Sequence, residues 1–246
     1  MNLTAILDAL GLSWISANLH EELADAARKH RTHQEFIERL LSGETERRHA
    51  ATVERRLKEA RLRDRKALGD FDWSWPKKIN RDQIQHLFTL RFLEDKANAV
   101  FIGGPGLGKT HLALALGYEA CQRERRVLFT TAAEIVNTLS RAMTANTLGR
   151  ILKRYLVPEL LIVDELGYAP VDRIGADLLF QVFSGRYERS ATIITTNRAF
   201  KEWTKTFAND STLTAAVLDR ILHHCEPVII EGRSYRMKGR IEAEPG

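Results

Sequence analysis

The hydrophobic positions of the first seventy residues repeat with a helical period. The first apolar stripe follows i, i+3, i+4, i+7 spacing at Leu3, Ile6, Leu7 and Leu10. Gly11 then ends this helix. The string THQE, residues 32–35, has the capping-box pattern and opens a second helical stretch with inward apolar positions. The pattern predicts an all-helical N-terminal segment.

From Asn80 onward, helical periods alternate with short, continuous apolar runs. Five such runs read as buried strands: AVFIGG, RVLFTT, LLIVDE, ATIITTN and PVIIEG. Amphipathic segments separate them, as in a layered α/β fold with helices covering a sheet. We therefore predict a five-stranded, mostly parallel sheet behind a small all-helical domain.

An aromatic segment with a proline, FDWSWPKKIN, separates the two patterns. Pro76 stops any helix. We place the domains at residues 1–70 and 80–246, with a linker at 71–79. The aromatic side chains either dock the linker onto the second domain or bring Trp73 or Trp75 near a nucleotide base.

Composition and charge narrow the class of protein. The formal net charge is +5, which permits nucleic-acid binding without demonstrating it. Two cysteines are too few for a disulfide framework, so a cytoplasmic protein is expected. No apolar run reaches the roughly 18 residues of a membrane span. Residues 47–66 hold nine Arg or Lys against three Asp or Glu, which fits either a solvated face or a nucleic-acid or partner contact.

A phosphate-binding loop follows the first predicted strand. GGPGLGKT, residues 103–110, has the G-x-x-x-x-G-K-[ST] spacing between a strand and a helix. Its backbone N–H groups and the helix N-terminus would face an anion. Lys109 would reach the β- and γ-phosphates of ATP, and Thr110 would offer its hydroxyl to Mg²⁺.

Polar residues close two later strands at the edge where open α/β sheets bind ligands. Asp164 and Glu165 end the LLIVDE run, and Asn197 ends ATIITTN. Asp164 is expected in the Mg²⁺ shell, Glu165 as the group that polarises the attacking water, and Asn197 as a hydrogen-bond partner of that water or of the γ-phosphate. Capping or turn roles are the simpler alternatives for Glu165 and Asn197.

Two arginines flank the last predicted strand. Arg220 lies on an apolar helix, and Arg236 lies in the loop beyond the strand. An arginine aimed at the γ-phosphate accelerates phosphoryl transfer strongly. Arg220 is either such a group or a surface side chain paired with Asp219 or Asp210.

Longer strings resemble one family. GGPGLGKTHLALALG, LLIVDELGYAP, LLFQVFSGRYERSATIITTN and LDRILHHCEPVIIEGRSYRMK are similar to the IstB-type transposition helpers, which are AAA+ ATPases related to bacterial helicase loaders and initiator ATPases. Gly104 and Leu107 stand where the family's usual loop has Pro and Thr. Neither position supplies a required side chain.

The resemblance implies more than the residues show by themselves. It implies an ATP- and Mg²⁺-dependent ATPase that oligomerises on duplex DNA, selects the target and recruits a transposase. It also implies that Arg220 is an arginine finger, a side chain that acts on the ATP bound by a neighbouring subunit. Arg236 lies where it could contact the ATP bound by its own chain. The implied nucleotide-binding set also includes Gly103, Gly104, Pro105, Gly106, Leu107, Gly108 and His111. Basic side chains implied to face DNA are Arg141, Arg150, Lys153, Arg154 and Arg173.

Two alternatives to this function remain. A helicase loader would share the ATPase core but bind a helicase. An ATP-independent DNA-binding protein would keep the same strings with an inactive site. The N-terminal segment is either a transposase contact or an assembly module.

Overall fold

The computed structural model describes residues 2–235. The chain divides into two compact units between Arg55 and Arg56. We predicted the domain boundary at residue 70. The structure instead groups 56–70 with the second unit, because Leu57, Ala60 and Leu62 pack in its hydrophobic core.

The first unit consists of α1 (Leu3–Ala9), α2 (Ser13–Arg28) and most of α3 (His33–Ala60), as the helical periodicity predicted. The capping box at Thr32 and Glu35 is formed: the Thr32 N–H donates to Glu35 at 2.7 Å. The buried Glu44 carboxylate accepts from the backbone N–H of Trp14 at 2.8 Å, at the start of α2. Hydrogen bonds from Arg47 lower the pKa of Glu44 to about 2, against the opposing effect of burial.

In the second unit, α4 (Arg81–Phe88) and α5 (Arg91–Glu94) precede β1 (Asn98–Gly103). The string NRDQIQHLFTLRFLEDK, residues 80–96, has one continuous amphipathic pattern and by itself predicts a single helix before β1. The structure breaks it at Leu90, whose φ of 62° is left-handed. The Leu90 side chain is buried in the core, so packing determines the break.

The remaining elements alternate along the chain, as predicted. They are α6 (Lys109–Gln122), β2 (Val127–Thr131), α7 (Ala132–Thr144), α8 (Leu148–Leu156), β3 (Leu160–Leu166), α9 (Arg173–Arg186), β4 (Ala191–Thr196), α10 (Trp203–Thr206), α11 (Ser211–Leu222) and β5 (Cys225–Ile230). Within residues 2–235, no helix combines the length and apolar character needed to cross a bilayer.

All five strands are parallel and lie in the order β2-β3-β4-β1-β5. The central residues of β1 to β4 are buried on both faces, with one hydrophobic cluster on each side, whereas the edge strand β5 leaves Ile229 exposed. Because the strands are parallel, the carboxyl ends of β1, β3 and β4 meet at one edge. Gly103 ends β1, Asp164 and Glu165 lie in the last residues of β3, and Asn197 follows β4.

Arg186 holds three elements of the second unit together. Its side chain is 1% exposed. It donates to the carbonyl oxygens of Tyr155 at 2.7 Å, Pro158 at 3.0 Å and Ala191 at 2.5 Å, and to the hydroxyl of Thr192 at 3.0 Å. Burial lowers the pKa of Arg186 to about 9, so the side chain stays charged at neutral pH. It fixes the start of β4 against the end of α8.

We expect Arg186→Met to lower the free energy of unfolding by about 3 kcal/mol or more, because it leaves several buried acceptors without a donor. Urea denaturation followed by circular dichroism measures the change. Arg189→Met is the matched control, since Arg189 is an exposed arginine on the same connection. Equal stability of the two variants would contradict the structural role of Arg186.

Candidate nucleotide-binding site

The phosphate-binding loop is shaped by two glycines in the left-handed region. Gly106 has a φ of 72° and Gly108 a φ of 86°. A Cβ atom at Gly108 would lie 2.5 Å from the Phe71 ring, so the position requires glycine for space as well as for conformation. Gly108 directly precedes α6, and the first N–H groups of this helix lack partners within the helix. The loop therefore fits an anion such as a phosphate.

Lys109 lies at the start of α6. Its Nζ donates to the carbonyl oxygens of Gly103 and Gly104, both at 2.7 Å. A phosphate oxygen is a stronger acceptor for an ammonium group than a neutral carbonyl oxygen. The arrangement thus keeps the cation on the loop, where an anion can take over its hydrogen bonds.

Thr110 and Asp164 form a pair of oxygen donors suited to Mg²⁺. The Thr110 hydroxyl donates to Asp164 Oδ1 at 2.9 Å, and the Asp164 side chain is buried. Hydroxyl and carboxylate oxygens are the ligands that Mg²⁺ prefers. The residues that the sequence assigned to the metal are in contact with each other.

A β-bulge places Glu165 at the cavity. Val163 pairs with Ile194, and the next paired residues are Leu166 and Thr196. Between these two pairs the chain advances three residues on β3 but only two on β4, so β3 contains one extra residue. Glu165 occupies the extra position with a φ of 61°. A left-handed glutamate costs energy, and such strain concentrates at functional sites. The bulge exposes the side chain of Glu165, whereas Asp164 before it stays buried.

Thr195 was missed by the sequence analysis. Its hydroxyl donates to Asp164 Oδ1 at 2.5 Å and accepts from the Glu165 N–H at 3.0 Å. One hydroxyl on β4 therefore ties both acids of β3 in place. The only sequence signal was a run of polar residues at the end of an apolar strand, and Asn197 was chosen from that run.

A cavity of about 360 Å³ lies over the loop. It brings together Lys109, Thr110, Glu165 and Asn197, as predicted, and its wall also includes loop residues 105–108 and His111. Gly103 and Gly104 are not among its lining residues, but their carbonyl oxygens bind Lys109. The volume is within the range of sites for small molecules and cofactors.

Aromatic residues from the linker, the loop after β3 and the last described segment line the cavity. Phe71, Trp75, Tyr168 and Tyr235 line it, whereas Trp73 packs against the core. Trp73 thus docks the linker onto the second unit, whereas Trp75 lies in the cavity wall. The Tyr235 N–H donates to the Gly106 carbonyl oxygen at 2.8 Å. Aromatic walls beside a phosphate loop fit a nucleotide base.

Arg220 is not among the lining residues. Its guanidinium lies 4.9 Å from the Phe180 ring centroid, and its Nη1 donates to the Ala216 carbonyl oxygen at 2.8 Å. Among residues 2–235 it forms no ion pair with Asp210 or Asp219, and Asp210 instead binds Arg173 at 2.7 Å. Arg236, the other predicted arginine, lies outside the described residues.

Comparison with known proteins identifies the family. A model of the IstB-like ATP-binding proteins matches residues 5–243. An insertion sequence IS21 putative ATP-binding protein of Pseudomonas aeruginosa is 38% identical over 98% of this chain and 91% of the relative. An IS5376 counterpart from Geobacillus stearothermophilus is 37% identical over 91% of this chain and 89% of the relative.

Solved structures share the fold. The DnaC helicase loader superposes with a TM-score of 0.54 and 25% identity, covering 67% of this chain and 96% of that one. Replication initiator DnaA bound to AMPPCP and single-stranded DNA superposes with a TM-score of 0.57 and 21% identity, covering 74% and 56%. The second unit is thus an AAA+ P-loop core that binds ATP, and because the family match extends over residues 5–243, the chain belongs to the IstB-like ATP-binding proteins.

Proposed function

We propose that this protein is an ATPase that assembles on duplex DNA and recruits the transposase of its insertion sequence. The observation that carries the proposal is that Lys109, Thr110 and Glu165 line one cavity, while the buried Asp164 is hydrogen-bonded to Thr110. Relatives named as insertion-sequence ATP-binding proteins support the setting in transposition. Target selection by the same assembly belongs to this proposal.

The residues divide the chemistry among them. Lys109 binds the phosphates, and Thr110 and Asp164 hold Mg²⁺, which neutralises charge on the phosphates when bound. Glu165 accepts a proton from the attacking water, and Asn197 orients that water or the γ-phosphate. Arg220 stabilises the transition-state charge from a neighbouring subunit. Thr195 positions the two acids through its hydroxyl.

Thr195→Val tests the positioning role. We expect the turnover number to fall about tenfold to a hundredfold, because Asp164 and the Glu165 backbone lose a shared partner and small misplacements at a reacting centre are costly. The KM for ATP should change little, since the phosphate loop is untouched. Steady-state phosphate release at varied ATP concentration measures both quantities.

Thr196→Val is the matched control for this experiment. Thr196 also lines the cavity, but its hydroxyl accepts from the Arg198 N–H at 3.1 Å and bonds neither acid. A loss of turnover in Thr196→Val equal to that in Thr195→Val would show that the hydroxyl bridge is not what matters.

The location of Arg220 supports action between subunits. Arg220 lies on the last turn of α11, which leads into the amino end of β5. The cavity lies at the carboxyl ends of β1, β3 and β4, at the opposite edge of the parallel sheet. A side chain at one edge is available to the cavity of a neighbour in a head-to-tail contact. This geometry favours an oligomer.

The proposed DNA contacts lie on α7, α8 and α9. The side chains of Arg141, Arg150, Lys153, Arg154 and Arg173 are all exposed. Arg173 forms ion pairs with Asp210 at 2.7 Å and Asp177 at 3.8 Å, and these carboxylates offset its positive charge. The α8 residues therefore provide the better electrostatic surface for phosphates.

We expect the double variant Arg150→Ala/Lys153→Ala to weaken DNA assembly at all sequences and to reduce the salt slope by about 2, one for each lost phosphate contact. Arg173→Ala is the control and should change the slope less. Fluorescence anisotropy with labelled duplex at several salt concentrations measures the slopes. Equal salt slopes for the wild type and the double variant would show that Arg150 and Lys153 do not contact DNA phosphates.

The helicase-loader alternative rests on the likeness to the DnaC loader. Co-purification distinguishes the two functions: the full-length protein, ATP and DNA are mixed with the transposase of the same element or with the host's replicative helicase. We expect retention of the transposase. Retention of the helicase alone would favour the loader. Repeating the experiment without residues 1–55 tests whether the N-terminal unit makes the partner contact or serves assembly.

A further inference from the structure

Two histidines and a glutamate meet on the surface of the second unit, away from the nucleotide cavity. Among residues 2–235, potential ligand atoms of Glu188, His223 and His224 all lie within 4.8 Å of one another. His223 Nδ1 is 3.7 Å and His224 Nε2 is 3.9 Å from Glu188 Oε1. The two imidazole rings lie 4.1 Å apart. We propose that this cluster is a binding site for a divalent transition metal such as zinc.

The spacing of the cluster suits such an ion. Zinc bound tetrahedrally at 2.0–2.2 Å holds neighbouring ligand atoms about 3.4 Å apart. The observed distances exceed this value by only a few tenths of an ångström for the two histidine–glutamate pairs. Because all three side chains are exposed, small rotamer adjustments close the difference. Three protein ligands leave the fourth position to water.

Hydrogen bonds of Asn98 hold the backbone beneath the cluster in place before any metal binds. Asn98, at the start of β1, accepts from the Thr192 N–H at 3.0 Å and donates to the Ile221 carbonyl oxygen at 3.0 Å. The Asn98 N–H also donates to the His224 carbonyl oxygen at 2.7 Å. Asn98 thus ties the start of β4, which follows Glu188, to the last turn of α11 and to the turn after it that carries the histidines. Ligands on a fixed backbone bind with less ordering cost.

Tyr187 supplies a hydrogen-bond partner that a metal can replace. Its hydroxyl lies 2.9 Å from His223 Nδ1. In the tautomer that carries its proton on Nε2, His223 Nδ1 accepts from this hydroxyl and presents its lone pair. A lone pair is also what a metal ligand must present.

The ligand chemistry selects the type of ion. Two imidazoles and one carboxylate favour zinc, nickel or copper over magnesium, which prefers oxygen ligands and octahedral geometry. The cluster lies at the amino ends of β4 and β5, at the sheet edge opposite the nucleotide cavity. It is therefore separate from the Mg²⁺ position at Thr110 and Asp164, and it follows Arg220 at the end of α11.

Zinc titration of tag-free, full-length protein tests the site by isothermal calorimetry or chelator competition. We expect one zinc per chain at micromolar concentrations, and no competition by millimolar magnesium. His224→Ala and Glu188→Gln should each weaken binding about tenfold or more.

His86→Ala is the matched control, because His86 is an exposed histidine 3.8 Å from Glu226 and belongs to no three-ligand cluster among residues 2–235. It should bind zinc as the wild type does. Zinc should raise the melting temperature of the wild type by a few degrees and leave that of His223→Ala/His224→Ala unchanged. The proposal is overturned if the double variant binds zinc as tightly as the wild type, or if His86→Ala loses as much affinity as His224→Ala.

Discussion

Lys109→Ala is expected to abolish ATP-dependent assembly on DNA. Lys109 Nζ makes two hydrogen bonds at 2.7 Å to the phosphate loop and is the cation that β- and γ-phosphates would engage. Two charge-assisted bonds at about 1.5 kcal/mol each correspond to a loss of roughly a hundredfold in ATP affinity. Binding of a fluorescent ATP analogue and assembly on labelled duplex measure the two effects.

Two control variants make this experiment specific. Lys201→Ala removes an exposed lysine that does not line the cavity and should leave both measurements unchanged. Glu165→Gln should have the opposite effect on assembly: it keeps ATP binding, slows hydrolysis and prolongs the assemblies on DNA. Normal assembly by Lys109→Ala would show that ATP does not drive the process and would favour the ATP-independent DNA-binding alternative.

The sheet could be predicted because parallel strands are buried on both faces. LLIV before Asp164 and the apolar run before Thr195 read as strands without any tertiary information. The strand ends then placed the acids beside the phosphate loop. The bulge at Glu165 could not be predicted from the sequence, because a bulge depends on the register between β3 and β4. Thr195 was missed for the same reason.

Contacts between distant segments were also beyond prediction. Trp75 Nε1 donates to the Arg233 carbonyl oxygen at 2.8 Å, and the Lys78 N–H donates to the Glu231 carbonyl oxygen at 3.1 Å. These bonds join the linker to the segment after β5 beside the cavity. More than 150 residues separate Lys78 from Glu231 along the chain. Local periodicity carries no information on such pairs, so the closed aromatic wall appears only in the structure.

Arg220→Ala is expected to bind ATP normally and to lose DNA-stimulated hydrolysis by a factor of about 10³ or more, as when arginine fingers are removed. ATP binding is preserved because Arg220 does not line the cavity of its own chain. Arg189→Ala is the control, since Arg189 is an exposed arginine just before the amino end of β4. Phosphate release with and without duplex DNA measures the loss.

Mixing inactive subunits separates action between subunits from action within one chain. Glu165→Gln subunits bind ATP and carry Arg220, whereas Arg220→Ala subunits keep Glu165. In a random equal mixture, about a quarter of head-to-tail contacts pair an intact cavity with an intact finger. DNA-stimulated hydrolysis should therefore recover to about a quarter of the wild-type rate at most. If the mixture stays as inactive as its components, Arg220 does not act on a neighbour's ATP.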